Sequence, residues 1–139
     1  MAKGPSPTPV VIGLSAVVVA VREAEAMVLT VRPRGMEDNL SAEPAGLPFG
    51  PFDPDGHRTF ELALRAFVTA QTRFDLGYVE QLYTFGDPAP SKFALSGPDD
   101  DRALSIAYLA LVSPPGPTLP IEGSWRSWYA FFPWEDMRA

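Results

Sequence analysis

The chain has 139 residues, 46% of them hydrophobic and 20% charged, with a net charge of −6 at pH 7. That length suits one domain, the apolar fraction is too high for a disordered chain, and no apolar run reaches the roughly 18 residues of a membrane helix. With no cysteine and a single histidine, His57, disulfides, thiol catalysis and multi-His metal sites are excluded, and the negative charge disfavours a free-standing nucleic-acid binder.

Residues 1–9 carry Gly4, Pro5, Pro7 and Pro9 without an apolar anchor and read as a disordered tail. No apolar run follows Met1, so a cleavable secretory signal is not expected, and the expected location is the cytoplasm. Residues 10–139 read as the folded domain. Val10 to Val21 is dense in valine, which crowds a helix and suits a pleated sheet, so it reads as a strand. A short charged turn (Arg22, Glu23, Glu25) then leads to Met27–Val31, the second strand of a hairpin. Arg32 to Gly46 reads as loop.

Leu47 to Gly56 holds three prolines and two glycines in ten residues, which argues against regular structure. The spacing of Phe60, Ala63, Leu64, Phe67 and Val68 predicts one clear helix over 59–71, with Thr59 as N-cap and Glu61 and Arg65 paired on the outer face. Tyr78 to Phe85 and Leu104 to Val112 read as strands. They are separated by a long Pro/Gly-rich loop containing Asp99, Asp100 and Asp101. A Pro-rich connection from Ser113 to Pro120 follows. Six aromatic residues fall within 125–134, among them all three tryptophans. This segment is either packed on the sheet, a homodimer seam, or the seat of a further module. The order of elements predicts an α/β domain: a mixed sheet with the helix on one face.

The segment Leu47-Pro48-Phe49-Gly50, the helix after it, Tyr78-Val79-Glu80-Gln81-Leu82-Tyr83-Thr84-Phe85-Gly86-Asp87, the strand Ser105–Val112 and the ending Phe132-Pro133-Trp134-Glu135-Asp136 together resemble the Nudix superfamily. Within it, the likeness is greatest to the Nudix-like sensor domain of bacterial, especially alphaproteobacterial, regulators of NAD metabolism. It extends from about Gly13 to Arg138. The resemblance implies an α/β/α sandwich, with a further helical piece around Trp125 to Phe132 on the second face of the sheet. It also implies a nucleotide diphosphate ligand such as ADP-ribose or an NAD-related molecule, a homodimer, and DNA contact only through a separate module absent from these residues.

Nudix hydrolases carry the box G-x5-E-x7-R-E-U-x-E-E-x-G-U, whose glutamates hold Mg²⁺ because that hard cation takes oxygen ligands. Aligned from Gly50, the first Glu position falls on Gly56. Aligned from the helix end, the Arg-Glu positions become Ala66 and Phe67, and the Glu pair becomes Ala70 and Gln71. Glu61, the one acid on the helix, stands outside all of them. The expectation is therefore a domain with no metal cage, no catalytic residue and no cofactor. The alternative is a diverged hydrolase using relocated acids, with Glu80, Asp87 or the Asp99 triplet as candidates.

Six residues are candidates for the ligand. Arg32 and Arg34 follow the second strand, where a guanidinium fork suits phosphate oxygens or merely ends a solvated strand. Arg58 precedes the helix, where its charge opposes the positive end of the helix dipole unless an anion lies near. Gln81, Tyr83 and Phe85 share one strand face by period two, where they serve either as core or as a stacking and hydrogen-bonding surface for a purine. His57 reads as a loop residue contacting backbone.

Overall fold

The computed structural model of the protein describes residues 10–32, 46–86, 102–113 and 123–138. These form β1 (Val10–Arg22), β2 (Glu25–Val31), β3 (Phe49–Pro51), α1 (Phe60–Thr72), β4 (Val79–Phe85), β5 (Arg102–Val112) and β6 (Gly123–Ser127), then two 3₁₀ turns, Trp128–Ala130 and Pro133–Glu135. The strands make one sheet in the order β4-β5-β1-β2-β6, with β3 beside β1. β1 and β5 run parallel and every other pair antiparallel, so the sheet is mixed. Among the described residues, no helix is long and apolar enough to cross a membrane.

The valine-rich run folds as predicted, and Arg22 pairs with Glu25 to close the β1–β2 hairpin. Its two turn residues, Glu23 and Ala24, sit at φ 51° and 64°, left-handed positions that glycine and asparagine adopt at lower cost. Beyond Val28, β2 leaves β1, and the freed edge is taken by residues expected to be irregular. Phe49–Pro51 pairs with Gly13–Ser15, flanked by bonds from the Ala16 amide to the Pro48 carbonyl (2.9 Å) and from Phe52 to Ile12 (2.7 Å). Pro48 supplies a carbonyl and needs no donor partner. The short strand therefore forms in spite of its prolines, because the β1 edge would otherwise be left unpaired.

Helix α1 occupies 60–72, one residue beyond the predicted span. Thr59 is extended (φ −141°) and its hydroxyl accepts the Leu62 amide at 3.1 Å, as an N-cap does. Arg73 ends the helix in the left-handed conformation. Ala63, Leu64 and Val68 are buried against Leu14, Ala16, Val18, Leu29, Ile106, Tyr108 and Ala110. The parallel register that sets Leu14 by Ile106, Ala16 by Tyr108 and Val18 by Ala110 brings these side chains to one face. Each fully buried Leu or Val there contributes about 2 kcal/mol. Arg65 does more than pair with Glu61 at 3.6 Å. Its guanidinium donates to the carbonyls of Leu76 and Gly77, both at 2.6 Å, and so fastens the helix to the chain that leads into β4.

The helical piece expected around Trp125 to Phe132 is replaced by strand β6 and a single 3₁₀ turn. Gly123–Ser127 adds to the open edge of β2, with Trp125 opposite Leu29. Ladder bonds to that edge outweigh a weak local helical preference. The aromatic tail then packs largely on itself. Trp128 stacks on Phe132 (4.7 Å, 28°) and donates its indole N–H to Glu135 at 2.7 Å. Arg138 lies over the Tyr129 ring at 4.4 Å, bonds Asp136 at 2.8 Å and reaches Glu25 of β2 at 3.4 Å.

Candidate functional site

The connection from β3 into α1, together with α1 itself, is where the resemblance locates the Nudix box. Asp53 opens a tight turn: its carboxylate accepts the Asp55 amide (3.0 Å) and its carbonyl the His57 amide (2.8 Å). His57 Nδ1 in turn accepts the Asp53 amide at 2.8 Å, which assigns the ring proton to Nε2. The imidazole lies between Phe52 (5.6 Å) and Phe67 (5.3 Å, edge-on), and Phe52 meets Phe60 at 4.7 Å. His57 is thus a loop residue bonded to backbone, as expected, and is also part of an aromatic cluster.

The box positions on the helix are put to structural use. Phe67 lies directly over Gly50, where an added Cβ would come within 2.5 Å of its ring. Gln71 spans the gap to β3: its Nε2 donates to the Phe49 carbonyl at 2.6 Å and its Oε1 accepts the Phe49 amide at 3.2 Å. A carboxylate could make only the second of these bonds. Ala66 and Ala70 are exposed and carry no ligating atom. Among the described residues, no group of three or more His, Asp or Glu side chains is arranged to hold a metal ion. Mg²⁺ requires a set of hard oxygen donors, which Ala66, Phe67, Ala70 and Gln71 do not provide. The residues present do not fit the metal of a Nudix hydrolase.

Burial, and after it the charge of Glu61, raise the pKa of the Tyr108 hydroxyl. Of the relocated-acid candidates, Glu80 is exposed on β4, whereas Asp87 and Asp99 to Asp101 lie outside the described residues.

The five described ligand candidates are spread over three elements of the fold. Arg32 is half-buried just after β2, Arg58 is exposed before the N-cap of α1, and Arg34 lies outside the described residues. β4 stands at the far edge of the sheet, with β5 and β1 between it and β2, three strand spacings or roughly 14 Å away. Nor do Gln81, Tyr83 and Phe85 share a face. Gln81 pairs with Tyr108, but Tyr83 pairs with the very next residue of β5, Ala107, because a bulge intervenes. Directly paired residues point to the same side of a sheet. Gln81 therefore lies on the helix-covered face, where its Nε2 is 3.4 Å from Thr84 Oγ1, while Tyr83 and Phe85 lie on the opposite face, 4.9 Å apart.

Two features of this region were not foreseen as functional. Gln71 was legible only as a missing carboxylate, since its partner is 22 residues away. Trp125, which meets Phe74 edge-on at 6.0 Å, has a buried indole N–H with no partner among the described residues. A buried donor of this kind calls for an acceptor from water or from a ligand.

No protein-family model and no curated protein matches the chain in sequence. Solved structures do match it in fold. The Nudix domain of Shewanella oneidensis NrtR, crystallised with ADP-ribose, superposes with a TM-score of 0.64 at 19% identity, covering 92% of this chain and 78% of that one. S. oneidensis NrtR in complex with a 27mer DNA matches with a TM-score of 0.53 at 21% identity over 73% of this chain, which spans only 42% of the longer protein. Caenorhabditis elegans Ap4A hydrolase matches with a TM-score of 0.60 at 13% identity, covering 89% of this chain and 85% of that one. The chain has the Nudix fold, a fold shared by a ligand-binding regulator domain and by a hydrolase.

Proposed function

We propose that this chain is a ligand-sensing Nudix domain that binds a nucleotide diphosphate derivative such as ADP-ribose without hydrolysing it. In this reading it works in the cytoplasm as a homodimer, as the sensor part of a regulator of NAD metabolism whose DNA contacts are made by another module. The observation that carries it is the use made of the box. Gln71 clamps Phe49 and Phe67 packs on Gly50, where a hydrolase needs carboxylates around Mg²⁺. The likeness to an NrtR Nudix domain crystallised with ADP-ribose supports the ligand class, and the net charge of −6 argues against DNA binding by this chain alone. Arg32, Arg34 and Arg58 are proposed for the diphosphate, where guanidinium forks match phosphate oxygens. Gln81 is proposed for a base edge. Tyr83 and Phe85 are on the other face of the sheet and leave that set.

The test is a thermal-shift and calorimetric titration with ADP-ribose and NAD, with and without Mg²⁺, assaying the same samples for released nucleoside monophosphate. Ligand at about one hundred times its dissociation constant adds roughly 2.7 kcal/mol, a shift of several degrees. A shift independent of Mg²⁺ with no product is the expected result. Mg²⁺-dependent product overturns the sensor reading in favour of a hydrolase with relocated acids.

A further inference from the structure

Among the described residues, strand β4 is an edge of the sheet, and residues 80–85 are exposed. Tyr83 (63% exposed) and Phe85 (53%) form an apolar pair on the face away from the helix, and Leu82 between Gln81 and Tyr83 is exposed as well. The strand contains no proline, no lysine and no charge other than Glu80, so it lacks most of the devices that keep edge strands single. The tail is a weaker candidate for a contact surface, because Trp128, Tyr129 and Phe132 already have partners within it.

We propose that the outer edge of β4 pairs antiparallel with β4 of a second copy about a two-fold axis. The proposal rests on the homodimer in the functional reading above and names its surface. A second copy is favoured because the strand is self-complementary. With the axis between Leu82 and Tyr83, Gln81 of one copy faces Thr84 of the other, and Glu80 faces Phe85. The bulge brings both pairs to matching faces, and no like charges are opposed. Pairing over 80–85 covers the strand backbone and the exposed side chains of Leu82, Tyr83 and Phe85 in both copies. Two-fold closure also leaves no further edge for uncontrolled growth on that side.

The test is sedimentation of the whole chain over a dilution series, comparing wild type with Tyr83→Lys/Phe85→Lys and with Trp134→Lys on the tail. All three substituted side chains are exposed, and circular dichroism checks that each variant is folded. The expected result is a wild-type dimer whose dissociation constant rises about 30-fold or more in the β4 variant and is unchanged by Trp134→Lys. In the wild type, amide exchange across 80–85 should quicken on dilution, a reading that needs no variant. A dimer unaffected by the β4 variant, or broken by Trp134→Lys instead, overturns the β4 surface and leaves the homodimer standing. A wild type that is monomeric throughout overturns both, and neither result bears on ADP-ribose binding.

Discussion

Gln71→Glu places a carboxylate where the Nudix box carries one, with almost no change in shape, and it separates metal chemistry from the architecture in place. The wild-type amide donates to the Phe49 carbonyl at 2.6 Å and accepts the Phe49 amide at 3.2 Å in a half-buried position. A carboxylate keeps the second bond, loses the first, and brings a negative oxygen against a carbonyl left without its donor. A lost bond together with an unsatisfied acceptor costs about 2 kcal/mol, which lowers the midpoint by roughly 6–10 °C in a chain of this size. The new carboxyl can donate to Phe49 only when protonated, so its pKa in the folded variant is raised above the unfolded value of about 4.3. Its stabilising form is then fully present below that unfolded value and is lost as pH rises through the folded one. The gap to wild type should therefore narrow at acid pH. Urea melts at neutral pH and near pH 4 measure both effects, with Mg²⁺-dependent release of nucleoside monophosphate from ADP-ribose assayed in parallel. A variant as stable as wild type at neutral pH refutes the clamp, and one that gains hydrolysis refutes the view that the described residues do not fit a metal ion.

Arg65→Lys, able to reach one of the two carbonyls of Leu76 and Gly77 but not both, should cost about 1 kcal/mol, and Arg65→Ala about 2, in urea unfolding. Gly50→Ala drives a Cβ into the Phe67 ring and should destabilise by about 1–3 kcal/mol. Adding Phe67→Leu should recover part of that loss, so a double-mutant cycle should read a favourable coupling. The Tyr108 pKa is raised by burial and then by Glu61, so its neutral form stabilises the fold fully below the unfolded pKa of about 10. That contribution is lost as pH rises through the higher folded value. Tyr108→Phe should accordingly flatten the alkaline fall in stability, measured by unfolding between pH 9 and about 11.5.

Local pattern determined a good part of this protein. The apolar stripe from Phe60 to Val68 and the Thr59 cap specified α1 to within a residue, and the valines of β1 and the mixed run of β5 declared themselves as strands. Neighbouring residues carry the signals of period, capping and β-branching, so no tertiary contact is needed to read them. The missing carboxylates at Ala66, Phe67, Ala70 and Gln71 were equally plain, because absence of a ligating atom is a property of composition. Tertiary structure decided what pairing across the chain decides. Phe49–Pro51 and Gly123–Ser127 became strands because the edges of β1 and β2 had unpaired amides and carbonyls to satisfy, a demand that neither segment carries in itself. One bulge in β4 moved Tyr83 and Phe85 away from Gln81, since a single extra residue reverses every side chain beyond it. The Gln71 clamp on Phe49 exists only because helix and strand meet, and it makes this side chain the fastening between them.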